Sequence, residues 1–323
     1  MKKILSFLVL ILFIACSKNN ENNLEQVDFI LDWVPNTNHT GLFVAIEKGY
    51  FKDENIELNI KSSPEDSTSD LIINNKAPFG IYYQDSMASK LSKGANITAV
   101  AAIIEHNTSG LLSLKENNIV LPKDMINKKY GSWNDPVEIA MIKHILSKNN
   151  INSNDIVFIP NVDSNSISSL QNKLFDFCWV FYGWDVVLAN IMGVKTNFYY
   201  MKDFDEKLDY YSPIIIANND YLKNNKEQAK KVLKAIKKGY IYAINNPKES
   251  AEILIKYAPE LKAKKEFILL SQSYLSKQYA SNPFKWGEFD ANRWNKFYEW
   301  LNETKILQNT IPLNLGFSNE YIK

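Results

Sequence analysis

The stretch from Leu31 to Gly41 concentrates side chains that could bind a planar molecule. Its sequence is Leu-Asp-Trp-Val-Pro-Asn-Thr-Asn-His-Thr-Gly, so an indole lies beside two amides, an imidazole and several turn-forming residues. An indole offers a flat apolar surface, and the amides and imidazole supply hydrogen-bond donors and acceptors. This combination suits a planar heterocycle. A polar loop that merely buries Trp33 is the alternative.

The sequence contains no recognisable catalytic or metal-binding motif. His39 has Asp32 and Thr37 near it, but no Ser-His-Asp or Cys-His pattern that would make it a general base. We therefore expect His39 to contact a ligand or to stabilise the loop. His106 and His144 are too scattered to indicate zinc, and no Gly-rich phosphate loop is present. We expect no metal, no cofactor and no enzymatic activity.

Charge and length restrict the class of protein. The 37 basic and 36 acidic residues give a net charge of +1 without a basic cluster, so nucleic acid is not an expected partner. Arg293 is the only arginine, which leaves little scope for bidentate clamps on phosphate or carboxylate groups. A chain of 323 residues fits two domains. Cys178 lies in an apolar run, where we expect a buried structural thiol.

Strand and helix patterns alternate along the chain, which predicts an α/β protein with mostly parallel sheets. Phe79–Tyr82, for example, is a short apolar strand pattern, and a helical pattern over Ser86–Lys93 follows it. The nearly continuous apolar run Ile97–Ile104 is typical of a central strand that is covered on both faces. From Asn225 onward helical patterns predominate.

The alternation restarts after Pro122, which predicts two lobes. One lobe would comprise residues 27–112 plus 213–323, and residues 113–212 would be inserted as the second lobe. The two crossings between the lobes would form a hinge. A ligand would then lie between the lobes, at the carboxyl ends of the strands.

The N-terminus is typical of an exported lipoprotein. Lys2 and Lys3 precede an apolar run that is shorter than the roughly 20 residues needed to span a bilayer, as in a signal peptide. The end of this run resembles a bacterial lipobox, so we expect a signal peptide over residues 1–16 and acylation of Cys16. Residues 17–26 would form a polar tether. An ordinary secretory signal with an incidental cysteine is the alternative.

Several motifs, in the same order along the chain, resemble one family of proteins. The family comprises the thiamine-pyrimidine precursor proteins, namely the ThiY-type binding proteins of bacterial ABC importers and the fungal thiamine-pyrimidine synthases. The resemblance covers nearly all of the predicted mature chain. The motifs that carry it are Leu31–Gly41, Gly49-Tyr50-Phe51, Phe79–Gln84, Ala99–Asn107, Phe181–Asp185, Lys234–Tyr240 and Trp286-Gly287.

The resemblance implies a two-lobed periplasmic-binding-protein fold of type II with the ligand cleft between the lobes. Members of the family bind an aminopyrimidine there, through aromatic faces and a few polar side chains. By position, the resemblance implies the following ligand-binding residues: Trp33, Asn38, His39, Tyr82, Tyr83, Asp85, Trp133, Glu138, Tyr182, Trp184, Asp185, Tyr210 and Tyr211.

A receptor is favoured over a synthase. The synthases carry a cysteine-rich run shortly before the return strand, whereas this chain has Asp-Tyr-Tyr-Ser-Pro over residues 209–213. The resemblance therefore implies a monomeric binding protein, lipid-anchored in the cell envelope, that delivers a hydroxymethyl- or formylaminomethyl-aminopyrimidine to an ABC permease and its ATPase. The alternatives are a receptor for riboflavin, nitrate, taurine or an alkanesulfonate, a synthase-like enzyme, and a structural surface lipoprotein.

Overall fold

The structure is a computed structural model that describes residues 24–62, 68–160 and 165–323. Its strands are β1 (Glu25–Leu31), β2 (Ile56–Ser62), β3 (Phe79–Tyr82), β4 (Ile97–Ala102), β5 (Ser109–Leu114), β6 (Lys129–Gly131), β7 (Val157–Ile159), β8 (Phe177–Phe181), β9 (Thr196–Tyr200) and β10 (Ile214–Asn218). Its α-helices are α1 (Thr40–Glu47), α2 (Tyr50–Asp53), α3 (Thr68–Ile73), α4 (Gln84–Leu91), α5 (Pro136–Lys148), α6 (Ser166–Gln171), α7 (Val187–Ile191), α8 (Met201–Phe204), α9 (Asn219–Asn224), α10 (Lys226–Asn245), α11 (Pro247–Tyr257), α12 (Lys265–Leu275) and α13 (Ala291–Thr304).

The predictions for the N-terminus fall largely outside the described residues. This holds for the signal peptide over residues 1–16, for its lipidation site Cys16 and for most of the tether. The end of the predicted tether is strand instead, because Glu25 and Gln26 belong to β1 and pair with β2. The Asn59 side chain of β2 donates a hydrogen bond to the Gln26 side chain at 2.9 Å. The strand therefore extends into the polar segment that was expected to be tether. Within the described part of the chain, no helix has the length and apolarity to cross a membrane.

The first sheet has the strand order β2-β1-β3-β10-β4. β1 runs parallel to β2 and β3, whereas β10 runs antiparallel to both β3 and β4. Side chains alternate across this sheet: Phe29 and Leu31 pack into one apolar cluster, and Ile30 packs into another on the opposite face. The sheet is therefore covered on both sides, as expected for a layered α/β lobe.

The second sheet repeats this arrangement with the order β7-β6-β8-β5-β9. β6 runs parallel to β7 and β8, and β5 runs antiparallel to β8 and β9. In each sheet the single antiparallel strand, β10 or β5, is the one that directly follows a crossing from the other sheet. The chain thus has the predicted two-lobed α/β organisation.

Two expectations about the strands were wrong in detail. β5 belongs to the second sheet and begins at Ser109, so the first crossing lies before the expected boundary between residues 112 and 113. β4 lies at the edge of its sheet rather than at its centre. Its side chains are nonetheless buried, because Gly287 and Phe317 form bridges to the outer edge of β4.

Helices α1 and α10 pack closely over the first sheet. A methyl group at Gly239 of α10 would lie 2.0 Å from the carbonyl oxygen of Gly41 in α1. Because the obstructing atom belongs to the backbone, a side chain could be accommodated only by separating the two helices. This contact positions the beginning of α1 and hence the turn that precedes it.

We expect Gly239→Ala to lower the free energy of unfolding by about 1–3 kcal/mol, since overpacking displaces backbone atoms. Thermal or urea denaturation measures this change. Lys231→Ala, on the exposed side of the same helix, is the control and should leave stability nearly unchanged. Equal stability of the two variants would contradict the close α1–α10 contact.

Candidate ligand-binding cleft

A cavity of ≈ 230 Å³ lies between the two sheets. The first sheet contributes the turns after β1 and β3, the second contributes the turns after β6 and β8, and both crossings contribute one or more residues. The lining residues are Asp32, Trp33, Asn36, Thr37, Asn38, Tyr83, Ile104, Thr108, Trp133, Ser166, Trp179, Phe181, Gly183, Trp184, Asp185, Pro213 and Leu275.

Two half-exposed indoles face this cavity from opposite lobes. Trp33 is 45% exposed and Trp133 is 42% exposed, whereas the other five tryptophans are buried or half-buried. Each follows the equivalent strand of its sheet at the same distance, because β1 ends at Leu31 and β6 ends at Gly131. An exposed indole costs hydrophobic free energy. Two of them at one cavity indicate a surface that a ligand covers.

Neighbouring rings hold both indoles in place. Trp133 lies over Trp179, with 5.0 Å between ring centroids, and it stacks on Phe181 at 6.4 Å. Trp33 meets Trp184 edge to face at 5.8 Å, and Trp184 in turn packs against Phe267 of α12. Despite these contacts, each of the two residues keeps more than 40% of its surface exposed.

A buried carboxylate organises the turn after β1. His39 contacts Oδ1 of Asp32 through Nε2 at 2.7 Å, and the Tyr83 hydroxyl donates to Oδ2. The backbone N–H of Asn36 donates to Nδ1 of His39 at 3.2 Å, which assigns the ring proton to Nε2. Burial alone would raise the pKa of Asp32, but the His39 and Tyr83 interactions hold it below its usual range. Asp32 is thus an anion at neutral pH.

The second lobe contributes a different carboxylate. Asp185 lies in one turn of π-helix over Tyr182–Val186, directly after β8, and such turns are frequent at functional sites. The backbone N–H of Phe181 donates to its Oδ2 at 3.2 Å. Burial raises the pKa of Asp185 to about 6, against the lowering effect of this bond and of the Ser166 hydroxyl.

Six of the sequence-predicted site residues lie at the cavity: Trp33, Asn38, Tyr83, Trp133, Trp184 and Asp185. Their contact with a ligand remains a prediction. The other seven do not line the cavity, and each has a structural position instead.

His39 is completely buried behind the turn. Its ring supports Asp32 and the backbone of Asn36, and it therefore acts on the cleft through these two lining residues. Glu138 is also buried, and its carboxylate accepts hydrogen bonds from the Tyr130 hydroxyl at 2.7 Å and the Ser132 hydroxyl at 3.0 Å. It also accepts the backbone N–H of Trp133 at 3.1 Å. Glu138 thus closes the turn that presents Trp133.

The tyrosines outside the cavity serve packing. Tyr210 and Tyr211 are fully buried, and Tyr210 stacks on Phe297 of α13 with 4.4 Å between centroids. Tyr182 stacks on Tyr274 of α12 at 4.5 Å. Tyr82 is half-buried beside Tyr83.

Asp85 is buried in the first turn of α4, away from the cavity. Burial and the charge of Asp135 raise its pKa to about 7.

Several lining residues escaped the sequence reasoning. Trp179 and Phe181 point to the same side of β8, and only the two-residue alternation within the apolar run Phe175–Phe181 could have indicated this. Thr108 and Pro213 lie on the crossings, and Leu275 ends α12. No local pattern distinguishes these residues, because tertiary packing brings them to the cleft. Among the described residues, no group of three or more His, Cys, Asp or Glu could hold a metal ion.

Comparisons with known proteins agree with this architecture. The model of a family described as NMT1/THI5 like matches residues 36–250. The formylaminopyrimidine-binding protein of Halalkalibacterium halodurans is 25% identical over 340 residues, which cover 98% of each chain. The 4-amino-5-hydroxymethyl-2-methylpyrimidine phosphate synthase THI11 of Saccharomyces cerevisiae is 24% identical over 320 residues, or 92% of this chain and 88% of the synthase.

Solved structures share the fold. The alkanesulfonate-binding protein SsuA of Xanthomonas axonopodis pv. citri, bound to MOPS, superposes with a TM-score of 0.69 at 10% identity, covering 91% of this chain and 98% of that one. The periplasmic aliphatic sulphonate binding protein SsuA of Escherichia coli gives 0.69 at 11% identity, covering 90% and 91%. These likenesses confirm the predicted two-lobed periplasmic-binding-protein fold.

The raised pKa of Asp185 predicts a pH-dependent stability difference. Its folded pKa of about 6 exceeds the ordinary value of 3.8, so ionised Asp185 opposes folding. This opposition is absent below about pH 4, grows as the pH rises, and is complete above about pH 6. In the absence of ligand, we expect Asp185→Asn to have the same melting temperature as the wild type at pH 4. At pH 7.5 its melting temperature should be roughly a few degrees higher.

Melting curves across this pH range measure the effect. The exposed Asp203→Asn, in the same lobe, is the control and should follow the wild type at every pH. A constant difference between Asp185→Asn and the wild type from pH 4 to 7.5 would contradict the burial of this carboxyl group.

Proposed function

The chain belongs to the NMT1/THI5-like family, and from this membership and the geometry of the cleft we propose that it is the solute-binding component of an ABC importer. Its ligand would be a thiamine pyrimidine precursor, a hydroxymethyl- or formylaminomethyl-aminopyrimidine. The observation that carries the proposal is the pair of half-exposed indoles, Trp33 and Trp133, that face one cavity from opposite lobes.

The two indoles suit a flat ring that both lobes contact. A ring held between two aromatic faces gains about 0.5–1.5 kcal/mol per pair beyond the burial of its area. Asn36 and Asn38 lie beside Trp33 at the cavity and can pair with ring nitrogens and an exocyclic amine. The relative from Halalkalibacterium halodurans is named for a ligand of this kind.

The volume of the cavity favours a single ring. At ≈ 230 Å³ it is smaller than the roughly 300–1,000 Å³ of pockets for drug-sized molecules. An aminopyrimidine is compatible with that space, whereas a three-ring flavin with its side chain would require the lobes to move apart. This argument favours the pyrimidine over riboflavin among the candidate nutrients.

A receptor is favoured over an enzyme even though synthases are among the relatives. The segment Asp209–Pro213, which precedes β10, contains no cysteine. The one cysteine of the described chain, Cys178, is buried, and burial raises the pKa of its thiol well above the usual range. That thiol is therefore unsuited to act as a nucleophile.

Ligand capture would proceed by rotation of the lobes about the two crossings. The crossings are hydrogen-bonded to each other, with the N–H of Ile103 donating to the carbonyl of Pro213 at 3.0 Å. Across the cleft, the Ser271 hydroxyl of α12 donates to the carbonyl of Gly183 and pairs with Thr37 at 2.7 Å. A ligand that contacts both lobes would stabilise this closed arrangement.

Delivery of the ligand to the permease would occur on the outer side of the cytoplasmic membrane. The predicted acylation of Cys16 would keep the receptor close to its permease, since several acyl chains anchor a protein stably. The closed form would bind the permease, with its ATPase on the cytoplasmic side, and opening of the lobes would release the ligand. The receptor would act as a monomer.

Calorimetric titration of the purified chain with thiamine pyrimidine precursors, thiamine and riboflavin tests this proposal. We expect one of the pyrimidines to bind. At 100 times its dissociation constant it should raise the free energy of unfolding by about 2.7 kcal/mol. Trp33→Ala and Trp133→Ala should each weaken binding by about 1–3 kcal/mol, or roughly 5- to 150-fold in Kd.

Phe284→Ala is the matched control, because this side chain is 78% exposed and does not line the cavity. It should bind the pyrimidine as the wild type does. Absence of binding for every pyrimidine, or unchanged affinity in both tryptophan variants, would refute the proposal.

A further inference from the structure

The charged side chains that line the cleft are all acidic in the described part of the chain. Asp32 from the first lobe and Asp185 from the second line the cavity, and no Lys or Arg lines it among the described residues. The two internal stretches outside the description, residues 63–67 and 161–164, contain neither Lys nor Arg. The remaining polar lining groups are neutral amides, hydroxyls and indole N–H groups, and the indole N–H of Trp179 is buried without a hydrogen-bond partner among the residues that the structure describes.

Neither carboxylate is paired with a Lys or Arg side chain within the described ranges. Asp32 accepts from His39 and Tyr83, which keeps it ionised while leaving acceptor capacity, because a carboxylate can accept about four hydrogen bonds. Asp185 accepts the N–H of Phe181 and has no ion-pair partner among the described residues. Both carboxylates therefore retain the capacity to accept hydrogen bonds from a ligand.

Several backbone N–H groups beside the cleft are already used within the protein. The N-terminus of a helix normally attracts anions through free N–H groups. At the start of α5, however, the Asp135 side chain accepts the N–H groups of Val137 and Glu138. The Glu138 carboxylate accepts those of Trp133 and Asp135. Two negative side chains thus occupy the helix end nearest to Trp133.

The turn after β1 is closed in the same way. The Asn36 side chain accepts the N–H of Asn38 at 2.9 Å, and the carbonyl of Asn36 accepts that of His39. The turn after β8 directs the N–H of Phe181 to Asp185. An anion in the cleft would therefore meet two carboxylates and no free cationic group, which is costly at low local dielectric.

We propose that the cleft selects planar heterocycles that carry amine donors or a positive charge, and rejects anionic ones, including phosphate esters, with Asp185 as the residue that sets this preference. This inference rests on the proposed function for its choice of ring. It assigns the receptor the unphosphorylated pyrimidine, in contrast to the phosphate for which the related synthases are named. It also separates the cleft from the sulfonate-binding proteins of the same fold.

Asp185 is better suited than Asp32 to set the charge preference of the cleft. Asp32 accepts hydrogen bonds from His39 and Tyr83 and supports the turn that carries Trp33. Its replacement would therefore also disturb the position of Trp33. Asp185 accepts one backbone N–H and the Ser166 hydroxyl, so Asp185→Asn changes the charge with little change in shape. Its amide could still accept a hydrogen bond through Oδ1.

Two matched pairs of ligands test the inference by calorimetry and by quenching of tryptophan fluorescence. The first pair is 4-amino-5-hydroxymethyl-2-methylpyrimidine and its phosphate ester. The second pair is 1-methylnicotinamide and nicotinate, which have similar rings and opposite charges. We expect the phosphate ester to bind at least 100-fold more weakly than the alcohol. We expect 1-methylnicotinamide, but not nicotinate, to quench fluorescence in a manner that Trp33→Ala reduces.

Within each pair, Asp185→Asn should lower the ratio of the two dissociation constants by tenfold or more. Asp203→Asn should leave both ratios unchanged. Equal binding of the phosphate ester and the alcohol, or unchanged ratios in Asp185→Asn, would overturn the inference. Failure of both pyrimidines of the first pair and of the formylaminomethyl-aminopyrimidine, while 1-methylnicotinamide is still preferred over nicotinate, would refute the proposed function and leave the charge selection standing. Quenching by nicotinate equal to that by 1-methylnicotinamide would refute the charge selection itself.

Discussion

The cleft depends on the burial of one carboxylate. Asp32 leaves the end of β1 with its side chain only 5% exposed, and an unpaired carboxylate in that place would be very costly. His39 from the start of α1 and Tyr83 from the end of β3 satisfy its two oxygen atoms. This interaction ties three segments together at the carboxyl edge of the first sheet. The direction of Trp33, the next residue, follows from it, and so does the position of Tyr83 in the cavity wall.

In the second lobe, a different buried carboxylate stabilises the turn that presents an exposed indole. β6 occupies the position in its sheet that β1 occupies in the first, and Trp133 follows β6 as Trp33 follows β1. The buried acid that closes the turn is here Glu138, which accepts the N–H groups of Trp133 and Asp135. Each lobe thus uses a buried carboxylate inside a turn to leave one indole exposed. The two half-sites form one site only because the crossings bring both turns to a common edge.

Much of this organisation could be predicted from the sequence, because it follows from local chemistry. The apolar pattern over Phe79–Tyr82 predicted β3 with its observed bounds, and the helical pattern over Ser86–Lys93 predicted α4, which spans Gln84–Leu91. The edge position of β4 was not predictable in this way, since its outer edge is covered by distant residues near Gly287 and Phe317. The cleft was predicted in part for the same reason. Turn residues such as Trp33 and Trp133 were found, but Glu138 and His39 are polar residues beside a turn whether they face a ligand or stabilise the turn. Only their hydrogen-bond partners distinguish the two roles.

The most direct measurement is a crystal structure of the chain grown with 4-amino-5-hydroxymethyl-2-methylpyrimidine. The account predicts density for one ring between the indoles of Trp33 and Trp133, with the exocyclic amine directed at a carboxylate of the cleft and the two lobes closed upon it. A ring bound away from both indoles, or a cleft that stays empty while the ligand binds in solution, would contradict it.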